Sequence, residues 1–284
     1  MTGGSASASS SRSRTTLSCS FGSVRATTAV IGTVALRITP PGARCRCSRH
    51  CLVNCPGEGW AGTGGGGVLS RDEYLAAWSR WHGGTPTDRP LVRGWLTAAW
   101  TLARPLAGMP PLVVTALGLV VALAAIGPAA AGGVWLIGAG VLVGLSGLLD
   151  SLDGALAIGT GRASLRGFVL DSVVDRLTEA AYAGALWVAG APGWLAVAFG
   201  ALCWLPDYLR ARAGQAGVAG TGTLSVWERP TRIAMAGMTL VGAGVVAGPG
   251  AGGLVITWGT AVGAFLGAVG VGQLGLSLRR MLAD

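Results

Sequence analysis

Four aspartates, arranged as two closely spaced pairs, are the residues of this sequence best suited to chemistry. Asp150 and Asp153 are three residues apart, and Asp171 and Asp175 are four apart, so each pair would lie on one face of a helix. Both pairs fall within long apolar runs, together with Glu179. Acidic side chains at membrane depth are costly, which makes these five carboxylates candidates for a functional site.

The two carboxylate pairs would repel each other strongly at low dielectric unless something compensates their charge. Protonation could do so, as could pairing with Arg162, Arg166 or Arg176, or the binding of hard divalent cations. Oxygen-only ligands suit Mg²⁺, Mn²⁺ or Ca²⁺, and two such ions about 4 Å apart could clamp a phosphate. The alternative is a purely structural cluster of ion pairs.

Two glycines beside the aspartates favour a ligand over a purely structural cluster. Gly154 directly follows Asp153, and Gly167 lies four residues before Asp171. Glycine inside a helix costs about 1 kcal/mol relative to alanine, and its usual compensation is the close approach of another group. A nucleotide or a phosphate packed against the helices would be such a group.

The composition of the 284 residues excludes an ordinary soluble domain. Charged residues make up only 12%, against about 25% in soluble proteins, and mean hydropathy is +0.58. The net charge is +9, but residues 1–67 hold seven arginines against one glutamate. Because the basic excess lies mostly in this low-complexity segment, we expect no nucleic-acid partner.

Long apolar runs predict an all-α integral membrane bundle of six transmembrane helices over residues 109–284. Most runs approach the ~20 residues that a helix needs to cross a bilayer. In the last run Gly259, Gly263 and Gly267 repeat every four residues, a spacing that allows close helix approach. The approximate bounds of the runs are Pro110–Ile126, Gly132–Ala157, Phe168–Ala189, Gly193–Leu209, Ile233–Ala247 and Leu254–Leu278.

The placement of arginines predicts the orientation of the bundle. The segments that join runs one to two, three to four and five to six carry no charge. With six spans, every arginine group of the membrane part lies on the opposite side. The positive-inside rule then places both termini in the cytoplasm, and the expected location is the plasma membrane.

Residues 68–108 form a predicted cytoplasmic juxtamembrane segment with an interfacial helix over residues 89–106. Apolar residues recur there at helical spacing, with arginines nearby, a pattern that suits the headgroup boundary. A plain juxtamembrane linker is the alternative. The apolar positions are Val92, Trp95, Leu96, Ala99, Trp100 and Leu102, and the arginines are Arg89, Arg93 and Arg104.

Residues 1–67 predict no packed core, because they lack periodicity and are rich in serine and glycine. Their clustered cysteines have CxC and CxxxC spacings, which match no common structural zinc module. We interpret this stretch as disordered or as an upstream segment, with a hypothetical true start near Val68. The cysteines of the cluster are Cys45, Cys47, Cys51 and Cys55.

The aspartates and their neighbours form a longer pattern that resembles the motif of the CDP-alcohol phosphatidyltransferase family. That motif is DxxDGxxAR, about eight residues, then GxxxDxxxD, and seven of its eight fixed positions are met. The departure is Ile158, where the family has an arginine expected to contact the CDP phosphates. The matching residues are Asp150, Asp153, Gly154, Ala157, Gly167, Asp171 and Asp175.

The resemblance implies a membrane enzyme that moves a phosphatidyl group from a CDP-linked lipid, usually CDP-diacylglycerol, to an alcohol and releases CMP. The four aspartates would hold two divalent ions, Mg²⁺ or Mn²⁺, and Asp175 would be the general base. Gly154, Ala157 and Gly167 would let the nucleotide approach, and Arg162 or Arg166 would replace the missing arginine. The resemblance also implies a homodimer.

A second stretch resembles a loop of the actinobacterial phosphatidylinositol phosphate synthases. In those enzymes a Lys-Ala-Arg or Arg-Ala-Arg run and an ERPxR segment help to bind the phosphate of the acceptor. This resemblance slightly favours inositol phosphate among small polar acceptors. The corresponding positions here are Arg210, Arg212, Glu228, Arg229 and Arg232.

Three other interpretations remain open at the level of sequence. Membrane prenyltransferases also bind Mg-diphosphate through two aspartate-rich motifs, but those lie farther apart than Asp153 and Asp171 do here. A transporter also uses intramembrane acids, although the aspartate motif has no internal repeat. The third is a family member that binds CDP-lipid without turnover, an interpretation that rests only on Ile158 in place of the family's arginine.

Overall fold

The computed structural model describes residues 68–81, 87–218, 224–246 and 250–282. Regular structure in these ranges is entirely helical, with a short 3₁₀ turn at Arg104–Leu106. The predicted all-α class is therefore confirmed. The α-helices are α1 Arg71–Trp81, α2 Pro90–Ala103, α3 Pro111–Ala124, α4 Ile126–Ala131, α5 Trp135–Gly159, α6 Leu165–Val188, α7 Gly193–Gln215, α8 Arg229–Val245 and α9 Ala251–Met281.

Three helical segments of the described chain are long and apolar enough to cross a membrane by length and composition. They are Pro111–Ala131, which joins α3 and α4, then α5 and α9. The other long helices do not meet these criteria of length and apolar composition. Helices α6 and α7 carry several ionisable residues each, and α8 has only 17 residues. The six-span count is therefore not established by these criteria.

Helix α5 has the most extensive packing in the described part of the chain, mainly against α8 and α3. Its approach to α8 requires glycine, because a Cβ at Gly140 would lie 2.5 Å from the backbone oxygen of Gly237. Polar side chains also join helices: the Tyr182 hydroxyl donates to Ser146 Oγ at 3.0 Å, and Ser146 Oγ donates to the Gly118 carbonyl at 2.9 Å. These contacts fix α5 against α3 and α6.

Helices α1 and α2 pack over the C-terminal end of α5, where a second apolar cluster includes Tyr74, Leu96 and Ile158. The backbone N–H of Leu69 donates to Gly159 at 2.8 Å, and the Trp100 indole donates to Leu69 at 3.0 Å. The segment before α1 is thereby tied to the end of α5. The helix predicted over residues 89–106 is present as α2 and the 3₁₀ turn that follows it.

The interpretations of residues 1–67 lie outside the described residues. They concern low complexity, the cysteine cluster and the start near Val68.

Candidate metal and substrate site

Helices α5 and α6 bring three of the four predicted aspartates to one point. One carboxylate oxygen from each of Asp150, Asp153 and Asp171 lies within 4.8 Å of the others. The helices are joined by a short turn, and α6 begins where Ser164 Oγ accepts a hydrogen bond from the Gly167 N–H at 3.0 Å. This side-chain cap fixes the start of α6, and Asp171 follows four residues after Gly167.

Several oxygens of this aspartate cluster are buried without a hydrogen-bond partner in the described part of the chain. They are Asp153 Oδ2, Asp171 Oδ1 and Asp175 Oδ1. A buried carboxylate oxygen without a partner is costly, and oxygen-only donors are the ligands that Mg²⁺ and Mn²⁺ prefer. The residues therefore fit a hard divalent cation.

Arg229, the first residue of α8, reaches the same cluster from a third helix. Its Nη2 lies 2.6 Å from Asp150 Oδ1, and its Nη1 pairs with Asp175 Oδ2. Arg176 Nη2 lies 3.7 Å from that same Asp175 oxygen. Asp175 is therefore held beside the three converging aspartates, with Oδ2 in ion pairs and Oδ1 without a hydrogen-bond partner among the described residues.

An ion network with a buried centre at Arg232 and Glu179 lies next to the cluster and joins α6, α7 and α8. Arg232 Nη1 lies 2.7 Å from both Glu179 Oε1 and Asp207 Oδ2. Arg176 Nη1 lies 2.6 Å from the same Asp207 oxygen. Arg176 Nε and Glu179 Oε2 are 3.2 Å apart without the alignment of a hydrogen bond. Two cations thus share two carboxylates in this network.

The structure places Arg232 inside this network, with only 1% of its surface exposed. Sequence reasoning assigned Arg232 to the acceptor, counted Glu179 among the candidate acids without a specific role, and left Asp207 out. The available signal was the presence of both acids on apolar helices, where unpaired charge is expensive.

Arg210 lies at the other end of the predicted acceptor loop and is bound to Glu228. The two guanidinium nitrogens of Arg210 lie 2.6 and 3.1 Å from the two oxygens of Glu228. Burial acts to raise the pKa of Glu228, but hydrogen bonds from Arg210 and Ser225 outweigh it, so this pKa lies below its usual value. Arg212 is exposed and donates to Gln215 at 2.7 Å.

The glycine and alanine positions of the motif have distinct surroundings. A Cβ at Gly154 would meet nothing within 4 Å, so open space lies beside Asp153. At Gly167 a Cβ would lie 3.1 Å from Ser164 Oγ, the atom that caps α6. The Ala157 carbonyl accepts from the N–H of Arg162 at 2.8 Å and so helps to form the turn after α5.

The two arginines expected to replace the missing one differ in their contacts. The Arg162 guanidinium donates to the carbonyls of Ala107 and Met109 at 3.3 and 3.0 Å, which ties the α5–α6 turn to the start of α3. Arg166 is exposed and makes no ion pair with any described residue. Ile158 itself is only 4% exposed and lies in the apolar cluster beneath α1 and α2.

Part of the sequence is similar to that of curated enzymes. An archaetidylinositol phosphate synthase of Aeropyrum pernix is 38% identical over 95 residues, which are 33% of this chain and 49% of the relative. A phosphatidylinositol phosphate synthase of Mycobacterium marinum is 38% identical over 105 residues, 34% of this chain and 43% of the relative. The chain thus spans about half the length or less of these curated relatives.

Solved structures of the Mycobacterium tuberculosis phosphatidylinositol phosphate synthase are also similar. The one with CDP-DAG bound gives a TM-score of 0.51 at 27% identity over 63% of this chain and 92% of that chain. The complex with manganese and citrate gives 0.52 at 27% identity, over 64% and 88%. The family model for CDP-alcohol phosphatidyltransferases matches residues 99–266, more than half of the sequence. The chain belongs to the CDP-alcohol phosphatidyltransferase family.

Proposed function

We propose that this protein transfers a phosphatidyl group from a CDP-linked lipid, such as CDP-diacylglycerol, to an alcohol acceptor and releases CMP. Inositol phosphate is the first acceptor to consider, because the similar synthases are named for inositol phosphate products. The observation that carries the proposal is the convergence of Asp150, Asp153 and Asp171 on one point within the family's own motif.

The carboxylates define where divalent cations would bind. Asp150, Asp153 and Asp171 would hold one ion, and Asp175 beside them would complete a site for two, Mg²⁺ or Mn²⁺. Such ions, when bound, supply Lewis acidity to a diphosphate and stabilise the charge that develops on leaving CMP. The manganese in one similar structure supports this choice of metal.

Asp175 is the proposed general base. Its Oδ2 is held by Arg229 and Arg176, whereas its Oδ1 is buried and has no described partner. Oδ1 can therefore accept the proton of the acceptor hydroxyl while the hydroxyl oxygen attacks the phosphorus that bears the lipid. The new P–O bond replaces the bond to CMP, which leaves with the electron pair.

The arginines divide between substrate and scaffold in this proposal. Exposed Arg212 is available to bind an acceptor phosphate. Arg210, Arg229 and Arg232 would contribute positive charge to the phosphate site while they remain paired with carboxylates. Arg162 or Arg166, at the α5–α6 turn, would meet the donor diphosphate in place of the arginine absent at Ile158. Open space at Gly154 would admit the nucleotide.

We propose the membrane arrangement that the sequence predicted. Six spans would be formed by Pro111–Ala131, α5, α6, α7, α8 and α9, with both termini in the cytoplasm and α2 at the interface of the plasma membrane. Two exposed side chains of α2, Trp95 and Leu102, support the interfacial position. Residues 1–67, 68–108 and 109–284 would then be the upstream, juxtamembrane and membrane parts.

The test is CMP release by purified protein in lipid nanodiscs, supplied with CDP-diacylglycerol, Mg²⁺ or Mn²⁺ and a panel of alcohols that includes inositol phosphate and glycerol phosphate. Metal-dependent CMP release with one acceptor, absent in Asp153→Asn, is the expected result. Release of inorganic diphosphate from a prenyl donor would support a prenyltransferase instead. CDP-lipid binding without CMP release would indicate a non-catalytic binder. Light scattering on the same sample tests the proposed homodimer.

A further inference from the structure

Trp227 lies directly before the Glu228–Arg229 pair and has no solvent-exposed surface. It is the largest of the fully buried side chains in the described part of the chain. Its ring packs edge-on against Phe199 of α7, with 5.5 Å between centroids and 86° between planes. Such an edge-to-face pair is a favoured aromatic arrangement. The segment before α8 is thereby anchored between α7 and α9.

Glycines of α9 form the groove that receives the Trp227 ring. A Cβ at Gly267 would lie 3.2 Å from the indole Nε1, and one at Gly263 would lie 3.4 Å from Cη2. At Gly270 a Cβ would collide with the Cβ of Trp227 itself. The four-residue glycine spacing predicted close helix approach, and the close partner here includes an inserted tryptophan.

The backbone around Trp227 is bound to the groups that surround the aspartates. Its carbonyl accepts from Arg232 Nε at 3.1 Å, and its N–H donates to Ser225 Oγ at 3.3 Å. The neighbouring Val226 N–H donates to Gln273 Oε1 of α9 at 3.0 Å. Two residues after Trp227, Arg229 contacts Asp150 and Asp175.

We infer that Trp227 is a positioning residue that acts on the aspartate cluster through Arg229. The anchored indole fixes where α8 begins, and its carbonyl fixes Arg232, so the guanidinium of Arg229 is held against Asp150 and Asp175. Loss of the ring frees this segment to shift. The inference rests on the proposed function for its kinetic consequences, but its geometric consequence can be measured without turnover.

The first test is Mn²⁺ binding, followed by electron paramagnetic resonance on the whole protein in nanodiscs. The positive charge of Arg229 repels a metal ion and competes with it for the carboxylates of Asp150 and Asp175. Arg229→Gln therefore raises Mn²⁺ affinity on the order of tenfold, equivalent to about 1.4 kcal/mol. Trp227→Ala, which releases Arg229, shifts the affinity in the same direction. The double variant shows no further rise, because both changes remove one interaction.

The second test uses the kinetics of CMP release. Trp227→Ala lowers kcat/KM by about 100-fold, the cost of displacing a positioned group by roughly 1 Å. Trp227→Phe, which keeps an aromatic ring in the glycine groove, retains most of the wild-type kcat/KM. In the Arg229→Gln background, Trp227→Ala has little additional effect. Trp258→Ala is the matched control, because Trp258 is 67% exposed on α9 and is expected to change neither readout.

The outcomes separate this inference from the proposed function. Wild-type Mn²⁺ affinity in either Arg229→Gln or folded Trp227→Ala would overturn the positioning role, whether or not CMP is released. Fully additive effects of the two changes would also overturn it. Absence of CMP release from the wild type, with the non-additive Mn²⁺ shifts intact, would instead overturn the proposed reaction and leave the positioning of Arg229 established.

Discussion

Arg232 of α8 and Glu179 of α6 form an ion pair, with 2.7 Å between Nη1 and Oε1, whose side chains are only 1% and 2% exposed. Neither charge has water to stabilise it, so each depends on the other and on the Asp207 and Arg176 groups beside them. The pair joins two helices that also carry Asp171, Asp175 and Arg229. The geometry of the aspartate cluster therefore depends on an ion pair outside it.

Glu179→Gln is expected to destabilise the protein by about 3 kcal/mol, because it leaves the buried Arg232 charge only partly compensated. Thermal unfolding in detergent measures the effect as a lower Tm. The exposed Asp88→Asn is the control and should leave the Tm unchanged. An unaltered Tm in Glu179→Gln would show that Asp207 alone compensates Arg232.

Asp153→Asn is expected to weaken Mn²⁺ binding at least about tenfold, equivalent to about 1.4 kcal/mol. It replaces one of three converging carboxylates by an amide, which has one oxygen and no charge. Titration followed by electron paramagnetic resonance measures the change. Asp72→Asn is the control, since the side chain of Asp72 is 74% exposed on α1. Equal Mn²⁺ affinity in Asp153→Asn and the wild type would remove Asp153 from the metal site.

Asp175→Asn is expected to lower the rate of CMP release by about 10²–10⁴-fold, the usual contribution of a general base, while the protein stays folded. The substitution removes the proton acceptor with little change in volume. A fall in kcat with a nearly unchanged KM for the lipid donor would indicate a role in the chemical step. Near-normal turnover would exclude Asp175 as the base.

Helical periodicity predicted that two carboxylate pairs share one site, and three of the four aspartates converge in the structure, with Asp175 ion-paired to Arg229 beside them. The spacing within Asp150–Asp153 and Asp171–Asp175 sets a common face in each helix. The short turn between α5 and α6 brings the two pairs to the same end of the bundle, although α5 packs mainly against α8 and α3, and α6 mainly against α3 and α7. Periodicity could not predict what α8 contributes, because contacts between distant segments depend on tertiary packing. The approach of Arg229 to Asp150 is one such contact.

Arginine counting was least informative about the role of each residue. An arginine near a membrane boundary can bind a phosphate, pair with an acid or hydrogen-bond to the backbone of a turn. The sequence does not distinguish these three roles. Arg232 is buried in ion pairs, whereas Arg162 binds backbone carbonyls near α3. Sequence reasoning gave Trp227 no role, because the α9 glycines that contact its ring lie far along the chain.

Ile158→Arg, which restores the family's arginine, is expected to destabilise the packing of α1 and α2 rather than to add a phosphate contact. Ile158 is 4% exposed within an apolar cluster that contains Tyr74 and Leu96, and an unpaired charge there is costly. Limited proteolysis should cut α1 or α2 faster in the variant. Ile158→Leu is the control and should match the wild type. Faster CMP release without faster cleavage would contradict this expectation.

Acidification is expected to loosen the segment before α8 through Glu228. Its pKa lies below its usual value in the folded protein, and an unfolded glutamate has a pKa of about 4.3. The ionised form is therefore favoured by folding, so its contribution to stability is complete above about pH 4.3 and is lost as pH falls through the lower folded pKa. The Tm of the wild type should fall more steeply over this range than that of Glu228→Gln, which cannot ionise. Parallel Tm profiles for the two proteins would show that the Arg210–Glu228 pair does not stabilise the fold.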